Sequence, residues 1–443
     1  MSQSAAITHR RVLAMAIPIM LSNATVPLLG AVDTAVIGQL GRAAPIGAVA
    51  IGGVILSTLY WIFGFLRMGV SGLAAQARGA GDTAETGALL MRGLMIGAAG
   101  GLLLILLQIP LFAVSFMLSP ASPEVENLAR SYMSIRIWSA PAAIMIYAIV
   151  GWLIAMERSR SVFIHQLLVN GVNVVLNVTF VLGFGWGVAG VALGTLISEI
   201  AGVIFGLWLC RDAFAGDQWR DWPRVFNRER LINMARVNTD IMIRSFLLSG
   251  GILAFLFLGA REGDVALAAN QILLQFINVT AFALDGFAFA AEALVGYALG
   301  ARSRGGLQRA AILTSQWGLL LCAVMSLVFL LIGGRIVEVM TTAEDVRAAA
   351  KGLLPYIILA PLIGLPGWML DGIFIGATRT GDMRRAMIEA TGAYAVALVL
   401  LPLAFGNHGL WLAFLFFYIT RALTLWRRYP AIEAQASRST PTA

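Results

Sequence analysis

Apolar residues run along this chain in long blocks that neither alternate nor keep to one helical face. A block of that kind is too long for a buried strand and reads as a helix that is hydrophobic all round. Spanning a bilayer core of about 30 Å takes about 20 apolar residues. Twelve segments meet or approach that length, near 12–38, 45–68, 92–118, 133–155, 161–183, 187–209, 238–260, 266–298, 311–332, 353–376, 386–405 and 408–426. The longest polar interruption runs from Cys210 to Val237 and divides the chain near its midpoint. The pattern therefore predicts an N-terminal six-helix bundle over 1–209, a cytoplasmic linker over 210–237 and a C-terminal six-helix bundle over 238–443. The fold class is an all-α polytopic membrane protein.

Composition agrees with this reading: 59% of the 443 residues are hydrophobic, 12% are charged, and the mean hydropathy is +0.84. A soluble domain carries about 25% charged residues, so an ordinary cytosolic enzyme is excluded. The formal net charge is +8. Its distribution explains it without a nucleic-acid partner, because arginine collects in cytoplasmic loops. With both termini inside, the inner loops carry 21 arginines and the outer loops 6 basic residues, and shifting the count by one span would invert the bias. The start, Met1 to Arg11, is followed by a long apolar segment with no small-residue cleavage site, which reads as a retained span. Cys210 and Cys322 form no motif, and His9, His165 and His408 lie far apart, so neither a disulfide framework nor a metal site is expected.

Sliding the chain on itself by 221 residues aligns the halves. Gly79 meets Gly300, Gly151 meets Gly372, Ile154 meets Ile375, Arg158 meets Arg379 and Gly185 meets Gly406. Six spans per repeat is even, so both repeats enter from the same side. Parallel repeats of this kind are related by a pseudo-two-fold axis along the membrane normal, an arrangement found in alternating-access transporters.

Ionisable residues inside spans are costly, and each is a functional candidate. They are Asp33, Arg67, Arg136, Glu199, Asp240, Arg244, Asp285, Glu292 and Asp371. Asp240 and Arg244, four apart, read as an ion pair along one helix, and Arg67 and Arg136 as side chains that snorkel from span ends. Asp33 lies in the first span, where Pro18 and Pro27 each remove an amide donor and can bend the helix, with Pro27, six residues before Asp33, taken as the hinge. Desolvation makes protonation of a carboxylate there possible at working pH. In the fifth span Asn170, Asn173 and Asn177 share one helical face, and Thr195 of the sixth span is placed to join them. Such amides line a polar cavity or glue helices together. The repeat bears on that choice. Asp33, Asn173, Asn177 and Thr195 map to Ala254, Tyr394, Leu398 and Phe416, so the polar set belongs to the N-terminal half alone. Asp285 and Asp371 likewise lack counterparts and are candidates, with Asn170, for a substrate cleft; packing roles beside Gly286 and Gly372 are the alternative.

With these residues in place the chain resembles the multidrug and toxic compound extrusion (MATE) family, in its DinF-type branch. The resemblance spans nearly the whole chain. It rests on Pro27 to Gly38, on Leu66-Arg67-Met68 with Gly72 to Ala80, on Leu284 to Ala288, on Leu370 to Arg379 and on Gly406 to Ala413. It implies a V-shaped pair of six-helix bundles exporting small amphipathic or cationic compounds in exchange for H⁺ or Na⁺. It further implies a monomer in the bacterial inner membrane among its lipids, with no cofactor beyond the coupling ion. The acid matching Asp33 is the coupling residue of that branch, with the match to Asn173 beside it. Many relatives carry Asp at the position of Asn177. Losing that carboxylate favours H⁺ over Na⁺, because hard cations prefer charged oxygen ligands. A flippase for a lipid-linked precursor is the alternative, and would need intramembrane Arg or Lys facing the cleft. An integral-membrane enzyme would need a paired catalytic set, and none is present in the sequence.

Overall fold

The computed structural model describes residues 6–118 and 122–437, with the side chains of 26–29, 31 and 218 outside the description. The described residues form helices and short connections, without strands. In chain order the helices are α1 (His9–Gly38), α2 (Ala43–Trp61), α3 (Phe65–Gly79), α4 (Thr83–Leu106), α5 (Gln108–Leu118), α6 (Pro123–Arg136), α7 (Ala140–Ala155) and α8 (Ser159–Asn177). They continue as α9 (Gly187–Leu209), α10 (Trp222–Val225), α11 (Arg228–Arg261), α12 (Asp264–Gly300), α13 (Arg304–Met340), α14 (Glu344–Gly376), α15 (Thr380–Trp426) and α16 (Pro430–Ser437). Single 3₁₀ turns at Ile62–Gly64 and Ile137–Ser139 join α2 to α3 and α6 to α7, so each pair makes one span. A π-helical stretch, Val178–Gly183, extends α8.

Ten helical stretches among the described residues are long and apolar enough to cross a bilayer. Gly406 (φ 53°) breaks α15 into two spans, because only glycine takes that conformation without cost. With that division and α1, the chain has the twelve spans that its apolar blocks predict. The structure lengthens several of them. The span expected at 45–68 runs helically to Gly79, and the block at 92–118 begins at Thr83 and is interrupted at Leu107.

The duplication recurs in backbone detail. Left-handed residues fall at Gly81 and Arg302, at Glu157 and Thr378, and at Gly185 and Gly406, each pair 221 apart. Asp82 accepts a hydrogen bond from the Glu85 amide (3.0 Å) and caps α4; Ser303, its counterpart, accepts from the Gly306 amide (3.1 Å) and caps α13. A Cβ on Gly151 would overlap the Arg67 carbonyl, and one on Gly372 would overlap the Ala288 carbonyl. Gly79 faces the Tyr297 carbonyl while Gly300 faces that of Gln76, a reciprocal contact between repeat-equivalent positions. In lipid, where apolar surface gains nothing by leaving the solvent, such close backbone approach is what lets helices associate.

The chain resolves into two compact units. One comprises Met1–Met20, Ala75–Gly81 and Asn233–Ala443, and the other comprises Leu21–Ala74 and Asp82–Ile232. The boundaries fall inside α1 and α11 as well as at the end of α3. Segment 210–237 is folded in short helical turns, α10 and the first turns of α11. It is fastened by Arg92, buried in α4, which donates to the carbonyls of Arg224 (2.6 Å) and Val225 (2.8 Å) at the end of α10 and pairs with Glu85 (2.7 Å).

Two outcomes test this packing. Gly372→Ala forces a Cβ against a backbone carbonyl and should destabilise the protein by about 1–3 kcal/mol, seen as a lower thermal midpoint in detergent; an unchanged midpoint contradicts the contact. Arg92→Met should release 210–227 and speed tryptic cleavage there, whereas cleavage at the wild-type rate means that Arg92 does not hold the segment.

Candidate functional site: a polar ladder between α1 and α8

Five of the residues singled out in the sequence meet within one unit, on α1, α8 and α9. Asn177, fully buried at the end of α8, donates from Nδ2 to Asp33 Oδ1 of α1 (2.6 Å) and to Asn173 Oδ1 one turn back (3.0 Å). Asn173 Nδ2 in turn donates to Thr195 Oγ1 of α9 (3.0 Å), and the Thr195 hydroxyl donates to the Val191 carbonyl (3.0 Å). The spacing of three and four residues stacks these amides on one face, and their donors reach acceptors on α1, on α8 itself and on α9. Asp33 itself is half-buried. Gly194 makes room for the arrangement, since a Cβ there would overlap Asn177 Oδ1.

Lower on the same face, Asn170 Nδ2 donates to Thr25 Oγ1 of α1 (2.9 Å), and Gln166 Nε2 donates to Asn170 Oδ1 (2.9 Å). Asn170 thus belongs to the α1–α8 seam. Position 27 lies between the two attachments in unbroken helix; the side chain of Pro27, expected as the hinge, is outside the described residues.

Beside the ladder is an ion pair that the sequence reading misplaced. Arg136 does not snorkel. It lies half-buried at the end of α6, where Nη2 meets Glu199 Oε1 of α9 (3.0 Å), each side chain 14% exposed. Its Nη1 donates to the Tyr132 hydroxyl (3.2 Å), and the Tyr60 hydroxyl of α2 donates to the Arg136 carbonyl (3.1 Å). Arg136 and Tyr132 lie within electrostatic reach of Asp33. The site therefore holds two carboxylates and one guanidinium. Glu199 and Arg136 lie 63 residues apart, so no helical spacing announces the pair.

The other unit has its own buried charges. The Asp371 carboxylate of α14 is bound by Arg421 of α15 and by Arg244 of α11. Arg244 therefore reaches Asp371, while Asp240, expected as its partner, takes Arg384 (2.7 Å) and the Thr380 hydroxyl (3.1 Å). Arg421, the third member of this cluster, is missing from the residues singled out in the sequence, although its charge inside the span 408–426 was signal enough to find it. Asp285 is half-buried in α12 and belongs to the same unit as Asp371.

Removing one member of a buried ion pair strands the other and costs about 3–5 kcal/mol, whereas replacing both is close to neutral. Arg136→Met should therefore lower the thermal midpoint sharply, and Arg136→Met with Glu199→Leu should recover most of the loss. A double variant as unstable as the single one contradicts the pairing.

Comparison with known proteins agrees with this architecture. The MatE family model matches residues 18–179 and again 241–403, one match per repeat. The chain is 37% identical over 424 residues to the DNA damage-inducible protein F of Escherichia coli K12, covering 94% of this chain and 91% of that protein. It is 28% identical over 436 residues to a probable multidrug resistance protein NorM of Bradyrhizobium diazoefficiens, covering 91% and 89%. Among solved structures, a MOP superfamily transporter from Pyrococcus furiosus superposes with TM-score 0.86 at 18% identity, covering 97% of both chains. A mutant form of the Vibrio cholerae MATE transporter VcmN gives 0.83 at 19% identity, covering 96% of both. With its matches in both repeats, its twelve spans and its similarity to the E. coli protein, the chain belongs to the MatE family of membrane transporters, in the DinF-type branch.

Proposed function

We propose that this protein exports small amphipathic or cationic compounds across the bacterial inner membrane, with both termini cytoplasmic, in exchange for protons, and that Asp33 is the coupling residue. The observation that carries this reading is the hydrogen bond from Asn177 to Asp33 (2.6 Å), the attachment of a half-buried carboxylate to a fully buried amide ladder. An ionised carboxylate is the stronger acceptor. Protonation removes the charge, weakens the bond from Asn177 and loosens the outer half of α1 from α8. Pro27, with no N–H to donate within the helix, makes the bend there inexpensive.

The cycle follows from that switch. Proton entry at Asp33 from outside rearranges α1 and expels cargo outward; proton release to the inside restores a charged site with affinity for the next cation. The chain supplies the coupling groups itself and needs no cofactor. Proton coupling is favoured over sodium because the ladder is made of amides and a hydroxyl around one carboxylate, and because the neighbouring cation, Arg136, is already resident. A flippase binding a pyrophosphate would draw on buried arginines; here Arg136 and Arg244 are engaged by Glu199 and Asp371.

In proteoliposomes with the two gradients imposed separately, efflux of a cationic dye should follow the proton gradient and ignore external Na⁺ at fixed pH. Asp33→Asn should abolish the response, and normal gradient-driven efflux by that variant overturns the proposal. Asn177→Asp restores a second carboxylate and should confer a Na⁺ response; an efflux profile unchanged from wild type contradicts the explanation given for ion choice.

A further inference from the structure

Helix α1 is tied to α8 twice, and the two ties differ in kind. The outer one, Asn177 to Asp33, ends on a titratable carboxylate. The inner one, Asn170 to Thr25, joins two neutral groups at 2.9 Å. Both ends of the inner tie are held in orientation. The Thr25 hydroxyl donates to the Ser22 carbonyl (2.7 Å), which leaves its oxygen lone pairs for Asn170. Gln166 Nε2 occupies Asn170 Oδ1 (2.9 Å), which fixes the amide with Nδ2 toward Thr25. Thr25 stands two residues before Pro27 and Asp33 six after it, so of the two prolines in the helix, Pro18 precedes both ties and Pro27 lies between them.

We infer that the Thr25–Asn170 pair is the pivot of α1: it holds the inner part of the helix on α8 in every protonation state, so that proton binding at Asp33 moves the outer part alone. The inference rests on the coupling role proposed for Asp33 and assigns positioning roles to Thr25, Asn170 and Gln166. The physical ground is the difference between the ties. A threonine hydroxyl and two amides do not titrate in the working range, whereas a carboxylate does. Proton binding then weakens one tie and leaves the other intact. With both ties free, α1 would shift as a whole and the proton would do no directed work on the bend. The charged and titratable groups facing Asp33 are Arg136 and Tyr132 from α6, with Glu199 of α9 and Tyr60 of α2 against Arg136. Those facing it from α8 are the uncharged Asn173 and Asn177. The pH-dependent tie is therefore the outer one.

The test measures the two parts of α1 separately. In a background carrying Cys210→Ser and Cys322→Ser, spin labels at Leu21 and Ile164 report the inner part against α8, and labels at Ala35 and Val175 report the outer part. On acidification of the wild-type sequence the outer distance should change and the inner one should stay constant. In Thr25→Val the inner distance should also change with pH, and proton-driven efflux should fall about three- to fifteen-fold, the weight of one interhelical hydrogen bond. Thr25→Ser keeps the hydroxyl and should restore both readouts, which a loss of packing alone would not allow. Should Thr25→Val fail to fold, Asn170→Ser, which shortens the donor side chain, is read in the same way. A constant inner distance together with wild-type efflux in the hydroxyl-free variant overturns the pivot. Asp33→Asn separates the two ideas: if it leaves the outer pH response intact, the coupling role itself fails, and if it abolishes that response while Thr25→Val changes nothing, only the pivot fails.

Discussion

A carboxylate placed within hydrocarbon must find its partners inside the protein or give up its charge. That constraint organises the N-terminal half of this chain. Asp33 is met by Asn177, Asn177 by Asn173, Asn173 by Thr195, and Thr195 by a backbone carbonyl. Each link uses a neutral donor, so the chain of bonds supports the carboxylate without neutralising it by a fixed cation. A nearby guanidinium is present, but its own carboxylate, Glu199, engages it at 3.0 Å. In the proposed cycle this leaves Asp33 free to answer to protons and to cationic cargo, which a direct salt bridge would prevent.

The two repeats show how such a site is placed on a duplicated scaffold. The backbone is copied faithfully: left-handed residues, helix caps and close glycine contacts recur at a spacing of 221. The buried polar content is not copied. Where the first repeat holds an amide ladder, the second holds Ala254, Tyr394, Leu398 and Phe416, and Tyr394 stacks on Phe417 with ring centroids 4.6 Å apart. The second repeat's buried charges are elsewhere, in Asp371 with Arg244 and Arg421. Shared backbone geometry and divergent interiors let the two halves carry different buried polar groups while both keep the same helix packing.

Most of the fold was legible because hydrocarbon imposes a simple rule of length and polarity. The core of the site was legible for a related reason. Asn170, Asn173 and Asn177 betray themselves by helical spacing, and Asp33 by having no repeat counterpart. What escaped were partnerships across helices. Arg136 near a span end looks like a snorkelling side chain until Glu199 is found against it. Thr25 is an ordinary mid-helix threonine in sequence, since such hydroxyls usually bond back to their own helix, as this one does to Ser22; its second role depends on where α8 lies. Asp240 and Arg244 satisfy the helical pairing rule and still find other partners, because tertiary neighbours offered better-placed charges.

In the proposed cycle Asp33 exchanges a proton for a cationic cargo. A count of protons released when a cationic substrate binds the detergent-solubilised protein in weakly buffered solution tests it most directly. Below the pH at which Asp33 is already ionised, binding should release about one proton per chain, by linkage between the two occupants, and Asp33→Asn should release none while still folding. Equal release from wild type and Asp33→Asn, or binding by the wild type with no proton released at any pH, would contradict the account.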